Sequence, residues 1–257
     1  MKARIALQLY SIREFLEQDF TGTLKKVKAC GFDAVEFAGY YGYPAASLKQ
    51  MLTDLGLEPY SSHVPFEMLR DHPDEAVAFA HELGLSYVIC PGAPLNSQED
   101  IRQAAAVLNH AAAKLRPLGI GCGYHNHFHE FDRLDGQYIE DLLLGQLSDP
   151  DYIAQIDTCW IAYAGVDYLP YIDALGRHAG PLHFKELGTG FKRGSQTGLD
   201  VEVGRGVIDF PGVLALMKRN GTLERGVIIE QEGYQDEPFT VLKRSVDYLR
   251  SVWPQEA

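Results

Sequence analysis

The feature that most constrains this chain is a recurring unit: an amphipathic segment that ends in glycine and runs at once into a short apolar stretch. It is visible in KKVKACGFDAVEF, LTDLGLEPYSS, AHELGLSYVIC, KLRPLGIGCGYH, GRHAGPLHF and KRNGTLERGVIIE. Gly31, Gly56, Gly84, Gly119, Gly180 and Gly221 stand where a helix needs a left-handed residue in order to stop. The apolar stretches are continuous, the pattern of strands buried on both faces of a parallel sheet. Strand cores fall at 5–9, 34–37, 60–62, 87–90, 120–124, 152–156, 182–184 and 227–229, each followed by a helical segment. Eight such units predict a single α/β domain, a (β/α)8 TIM barrel over 1–257, rather than an open doubly wound sheet.

One connection breaks the rhythm. After the seventh strand comes ELGTGFKRGSQTGLDVEVGRGVIDF, long enough for either a surface loop or a substrate lid. Its GTGFKRG has glycines and cations but not the GxxxxGK[ST] spacing of a phosphate cradle.

Charge narrows the partners. With 35 acidic against 23 basic residues the net charge is −12, and no basic stripe is present to replace phosphate counterions, so a nucleic-acid partner is not expected. The opening MKARIALQLYSIRE turns polar too soon for a signal peptide, and no apolar run reaches membrane-spanning length. Cys30, Cys90, Cys122 and Cys159 form no CxxC pair and read as reduced thiols. A cytoplasmic enzyme without a membrane partner is the expectation, and a homo-oligomer is compatible with it.

Barrel enzymes carry their chemistry at the carboxyl ends of the strands. Those ends hold Gln8 and Tyr10, Glu36, His63, Cys90, His125 to His127, Asp157, His183 with Lys185, and Glu230 with Glu232. Uncompensated buried charge is costly, so such a convergence on one mouth points to a site. Imidazoles and carboxylates together suit one divalent ion: Mn, Zn, Fe, Co or Mg. In GYHNHFHEF (123–131), alternation along a strand would place His125 and His127 on one face and leave Asn126 to orient a neighbour. Tyr40, Tyr41 and Tyr43 read as loop packing, Cys90 as strand-end packing, and His72, His81, His110 and His178 as helix surface.

These segments carry a family likeness over nearly the whole chain. YHNHFHEF, IDTCWIAYAG, LHFKEL, VEVGRGVIDF and GVIIEQE resemble the fifth- to eighth-strand motifs of the sugar phosphate isomerase/epimerase family of xylose-isomerase-like barrels. That group also includes tagatose 3-epimerase, inosose dehydratase and the apurinic-site endonuclease. The resemblance implies a single divalent ion held by Asp157, His183 and Glu230. His125 falls where a strand-five glutamate is common, as a fourth ligand or a proton carrier. Against the endonuclease, His63 matches a zinc ligand, but Cys90 and Trp160 stand where histidines are expected. The Asp-x-His pair would fall on Gly198 and Asp200.

The implied activity is isomerisation or epimerisation of a sugar or keto-sugar, by proton abstraction next to a carbonyl through a metal-stabilised enediolate. Glu230 would be ligand and base, and Lys185 would stabilise charge. His127, Glu130 or His125 would serve as acid, with His63, Glu36, Glu130, Trp160 and Glu232 at the substrate. A keto-sugar or keto-inositol lyase is the nearest rival, since the strand-five histidine can protonate a leaving hydroxyl. A non-catalytic sugar-binding barrel or partner subunit is the third reading.

Overall fold

The computed structural model describes residues 4–254. The outermost residues of the expected 1–257 domain lie outside that range. Among the described residues, eight strands form the main sheet: β1 (Ile5–Gln8), β2 (Ala34–Ala38), β3 (Glu58–His63), β4 (Tyr87–Cys90), β5 (Gly121–His125), β6 (Ile153–Gln155), β7 (Leu182–Phe184) and β8 (Val227–Ile229). All pair in parallel, in the order β6-β5-β4-β3-β2-β1-β8-β7. The remaining gap is bridged by Gly180 N donating to Ala154 O (3.0 Å) and His183 N donating to Ile156 O (3.0 Å), which nearly closes the barrel.

The strands are continuously buried because helices cover one face and the barrel interior the other. The helix Gln98–Leu115 shows how the outer layer forms. Ser97 caps its start, its Oγ accepting from Asp100 N at 3.1 Å, and Ile101, Ala104, Ala105, Leu108, Ala111, Ala112 and Leu115 form the buried stripe. Gly56 and Gly84 end their helices at φ +66° and +86°, as the sequence pattern requires. On β5, a Cβ at Gly123 would lie 2.1 Å from Ile153 O, so the missing side chain lets β5 and β6 approach.

Inside the barrel the two-residue period sets two levels. Ala6, Ala34, Tyr60 and Ile228 form a small apolar floor of their own. Two residues further along β1, β2 and β8 stand Gln8, Glu36 and Glu230, so the polar level lies directly above the apolar one. The pairing register of β2 and β3 shifts between Val35 and Glu36, which brings Ala38 level with His63.

The long connection after β7 is tied down at both ends. Glu186, 1% exposed, accepts from the backbone N–H of Leu187 (3.0 Å), Gly204 (3.0 Å) and Ile208 (2.9 Å). Farther out, Tyr163 OH accepts from Ser195 N at 3.1 Å, and Arg193 pairs with Asp132. The sequence reading missed one element, a hairpin of Arg133–Leu134 with Gln137–Tyr138. Its turn is Asp135-Gly136, both at positive φ, and the Asp-Gly pair was the available signal. Among the described residues no helix is long and apolar enough to cross a membrane.

Candidate active site

At the carboxyl ends of the strands a cavity of about 500 Å³ opens, lined in part by Tyr10, His63, His127, Trp160, Glu230 and Glu232. His125 and Gln8 also reach its wall. At its base, His125, Asp157, His183 and Glu230 each bring a ligating atom within 4.8 Å of the others. A second group of the same kind joins His63 to His125 and His183.

Local structure explains the convergence. Asp157 follows β6 and caps the helix Thr158–Tyr163, its Oδ1 accepting from Trp160 N at 2.9 Å. Its backbone N–H donates to Asn126 Oδ1 at 3.1 Å, so Asn126 does orient a neighbour. With Oδ1 committed to the helix, Asp157 Oδ2 is left without a hydrogen-bond partner, and so is the buried Nδ1 of His125. Orphaned buried polar atoms are rare in folded proteins. Here a carboxylate oxygen and an imidazole nitrogen are orphaned in the same cluster, beside two further N and O donors, which is the donor set a divalent ion takes.

His183 is held from both sides, its Nδ1 2.8 Å from Glu230 Oε2 and its Nε2 2.6 Å from Glu36 Oε1. Burial pushes this imidazole down, but the two carboxylates outweigh it and raise it to about 10. For Asp157, burial is the largest influence and lifts the carboxyl to about 7, with Lys185 pulling the other way. Burial also opposes ionisation of Glu230, yet Lys185 and His183 hold it well below the usual carboxylate range. Burial pushes His125 well below the ordinary histidine value and His127 down to about 4.

Three residues expected at the substrate or in the chemistry sit elsewhere. Glu36 is fully buried beneath the cavity, where it accepts from Gln8 Nε2 and Gln155 Nε2, each at 2.8 Å, and from His183. Its two oxygens are taken up by Gln8, Gln155 and His183, with His63 beside them, which leaves none to offer a ligand. Glu130 is also fully buried. The chain turns after His127 into the short 3-10 turn His129–Phe131, which folds Glu130 back to accept from Tyr124 OH (2.9 Å) and His127 N (2.8 Å). Lys185 is 1% exposed, sealed behind Glu230 and Glu232 with its ammonium over the Trp160 ring, so any influence on a substrate passes through those groups.

The remaining candidates behave as their chemistry suggests. β5 ends at His125, so strand alternation does not extend to His127, yet the loop returns His127 to the cavity with ring centroids 5.2 Å apart. Cys90 is buried, burial pushing its thiol up to about 12. Tyr41 and Tyr43 pack on Phe20, and Tyr40 stacks on Phe79. His72, His81 and His110 are exposed, while His178 is half-buried and stacks on Tyr152. The missed groups are Gln155, which links His63 to Glu36, and Tyr124, which holds Glu130.

The family model described as xylose isomerase-like TIM barrel matches residues 24–252. No protein of curated function matches the sequence significantly. Among solved structures, a sugar phosphate isomerase/epimerase from Parabacteroides distasonis superposes with a TM-score of 0.83 at 24% identity, covering 98% of this chain and 94% of that one. Another of that description from the same organism gives 0.79 at 26% identity, covering 96% and 98%. The IOLI protein, determined with a bound zinc atom, gives 0.74 at 15% identity and 97% coverage of each chain.

Proposed function

The chain belongs to the xylose isomerase-like TIM-barrel family, and from that premise we propose that it is a divalent-metal-dependent sugar isomerase or epimerase. The observation that carries the reading is the cluster of His125, Asp157, His183 and Glu230 at the base of the cavity, with two of its buried donor atoms unpartnered. These four residues would hold the ion. Proteins of similar structure, sugar phosphate isomerase/epimerases and a zinc-bound protein, agree with a metal and a sugar-like substrate.

When bound, a divalent ion there supplies Lewis-acid polarisation of a substrate carbonyl. The chain supplies the rest. Tyr10 and Trp160 give the cavity apolar faces against which a sugar ring packs, and Gln8 and Glu232 offer partners for hydroxyls. Glu230, kept ionised by Lys185, accepts a proton at a carboxylate oxygen, and the His127 ring nitrogens stand at the same wall for a second transfer. The two groups come from different strand ends, so a proton taken by one can be returned by the other, to the neighbouring carbon in isomerisation or to the opposite face of the same carbon in epimerisation. Nothing in this lining favours nucleic acid.

A lyase would use the same proton abstraction and then expel a leaving group. Product mass separates the two, because dehydration loses water. The direct test pairs metal analysis with a screen of ketopentoses and ketohexoses in D₂O. We expect the purified protein to carry one divalent ion, Asp157→Ala to weaken metal binding at least tenfold, and one carbon-bound hydrogen of an accepted sugar to exchange with solvent. Unchanged metal content in both Asp157→Ala and His183→Ala, or an absolute requirement for a nicotinamide, would falsify the reading.

A further inference from the structure

We propose that Glu36 is a positioning residue: one buried carboxylate that fixes the proton-bearing nitrogen of two imidazoles at once, so that His183 and His63 both turn Nδ1 away from it. The inference rests on the metal-site reading for His183 and stands without it for His63.

Glu36 Oε1 lies 2.6 Å from His183 Nε2, 3.1 Å from His63 Nε2 and 2.8 Å from Gln8 Nε2. Its other oxygen accepts from Gln155 Nε2 at 2.8 Å, and Gln155 Oε1 in turn meets His63 Nε2 at 2.8 Å. An ionised carboxylate can only accept. His183 must therefore present N–H at Nε2; Glu36 also turns the Gln155 amide so that its oxygen accepts from His63 Nε2, and a neutral ring that carries its proton there has its lone pair at Nδ1. For His183, Nδ1 faces Glu230 (2.8 Å) and Asp157 Oδ2 (4.0 Å), so it donates to Glu230 until an ion takes that nitrogen in place of the proton. For His63, which lines the cavity, Nδ1 has no hydrogen-bond partner among the described residues.

The two rings are held as a matched pair, with planes 7° apart and centroids 5.2 Å apart. His125 packs against both, at 4.8 Å from His63 and 4.4 Å from His183. The carboxylate itself cannot drift, because Gln8 and Gln155 clamp it and it is fully buried. Gln8 is fixed in turn, its Oε1 accepting from Tyr10 N at 3.0 Å. A buried partner that sets the tautomer and orientation of a ligating histidine is typically worth 10- to 100-fold in metal affinity. What is particular here is that the same carboxylate also sets a second imidazole on the cavity wall, through Gln155.

The test uses the full chain, Zn²⁺ as the probe metal, and two readouts. One is Zn²⁺ affinity by chelator competition; the other is imidazole ¹⁵N NMR, which identifies the nitrogen that bears the proton. In the wild type, His63 carries its proton at Nε2, and zinc-loaded His183 does the same. In Glu36→Gln, zinc affinity falls roughly 10- to 100-fold and the His63 proton redistributes toward Nδ1. A residue that merely fills space would not move that proton. Unchanged zinc affinity in a folded Glu36→Gln, or an undisturbed Nε2 proton on both rings, overturns the proposal. If Glu36→Gln fails to fold, Gln155→Leu removes one clamp and one His63 acceptor; it must then loosen the His63 tautomer, and an unaltered spectrum counts against the proposal. Failure of the wild type to bind zinc sinks the metal reading instead, and the His63 spectrum of that same protein still decides the role of Glu36.

Discussion

The Lys185 ammonium lies 4.2 Å from the centroid of the Trp160 ring, buried between that face and the carboxylates of Glu230 and Glu232. One cation thus holds together an aromatic wall from the segment after β6 and two acidic groups from the end of β8. Burial opposes the charge on Lys185, yet Glu230, Asp157 and Glu232 hold its pKa above the ordinary lysine value.

Lys185→Met leaves Glu230 buried without its ammonium. Breaking a buried pair from one side costs about 3 kcal/mol or more, although Glu232, a third exposed, recovers some solvation. The metal-free variant should melt roughly 6–12 °C below wild type for a chain of this size. Saturating Mn²⁺ or Zn²⁺ should recover part of that loss by replacing the missing positive charge. Thermal melts with and without metal are the check, and equal melting temperatures would show that the lysine is dispensable.

His125 distinguishes two roles. As a ligand, its replacement in His125→Glu should retain the metal, because a carboxylate can fill the same place, while His125→Ala should lose affinity at least tenfold. As an acid serving a leaving group, His125→Glu should keep the metal and lose roughly 10²–10⁴-fold in elimination. Metal analysis and turnover on both variants decide it. Full metal and full turnover in His125→Ala would remove the residue from the site.

Glu186 anchors the long connection by accepting three backbone N–H groups from its two ends. Hydrogen bonds to a charged group are worth about 1.5–3 kcal/mol each. In Glu186→Ala, the amides of Gly204 and Ile208 should exchange with deuterium at least tenfold faster, while β7 itself stays protected. Unaltered exchange would mean that the connection is fixed by its other contacts.

Glu140 bears on pH rather than catalysis. It is fully buried and neither carboxyl oxygen has a hydrogen-bond partner, so burial, reinforced by Glu130 and Asp141, raises it well above the usual carboxylate range. The fold holds the neutral acid, whereas the unfolded chain ionises it near pH ~4.3. Its contribution is therefore complete below that pH and is lost progressively as pH rises toward the folded-state value. Glu140→Gln, which cannot ionise, should gain stability relative to wild type between about pH 4.3 and neutrality. Melting curves at pH 4, 6 and 8 read the slope, and a constant difference across that range would contradict the assignment.

Much of the molecule is determined by the sequence alone. Continuous apolar runs punctuated by glycine are local signals, and they place eight strands to within a few residues; β4, β7 and β8 fall on the expected 87–90, 182–184 and 227–229. Strand ends carry the polar residues, so His125, Asp157, His183 and Glu230 are legible as a group, and the structure brings them together. What only the tertiary structure decides is enclosure. Glu36 and Glu230 look alike in sequence, each an acid at the end of an apolar strand, yet one lies under the imidazoles and the other faces the cavity. Alternation along a strand tells which side chains point inward. Glu36 and Glu230 both stand level with Gln8 of β1, so strand position does not separate them. The difference comes from neighbours contributed by distant segments: Gln155, His63 and His183 enclose the Glu36 carboxylate, and the burial of Lys185 between two strand ends has the same kind of origin. The turn that folds Glu130 beneath His127 is short-range, but its direction is fixed by the hydroxyl of Tyr124 on the strand behind it.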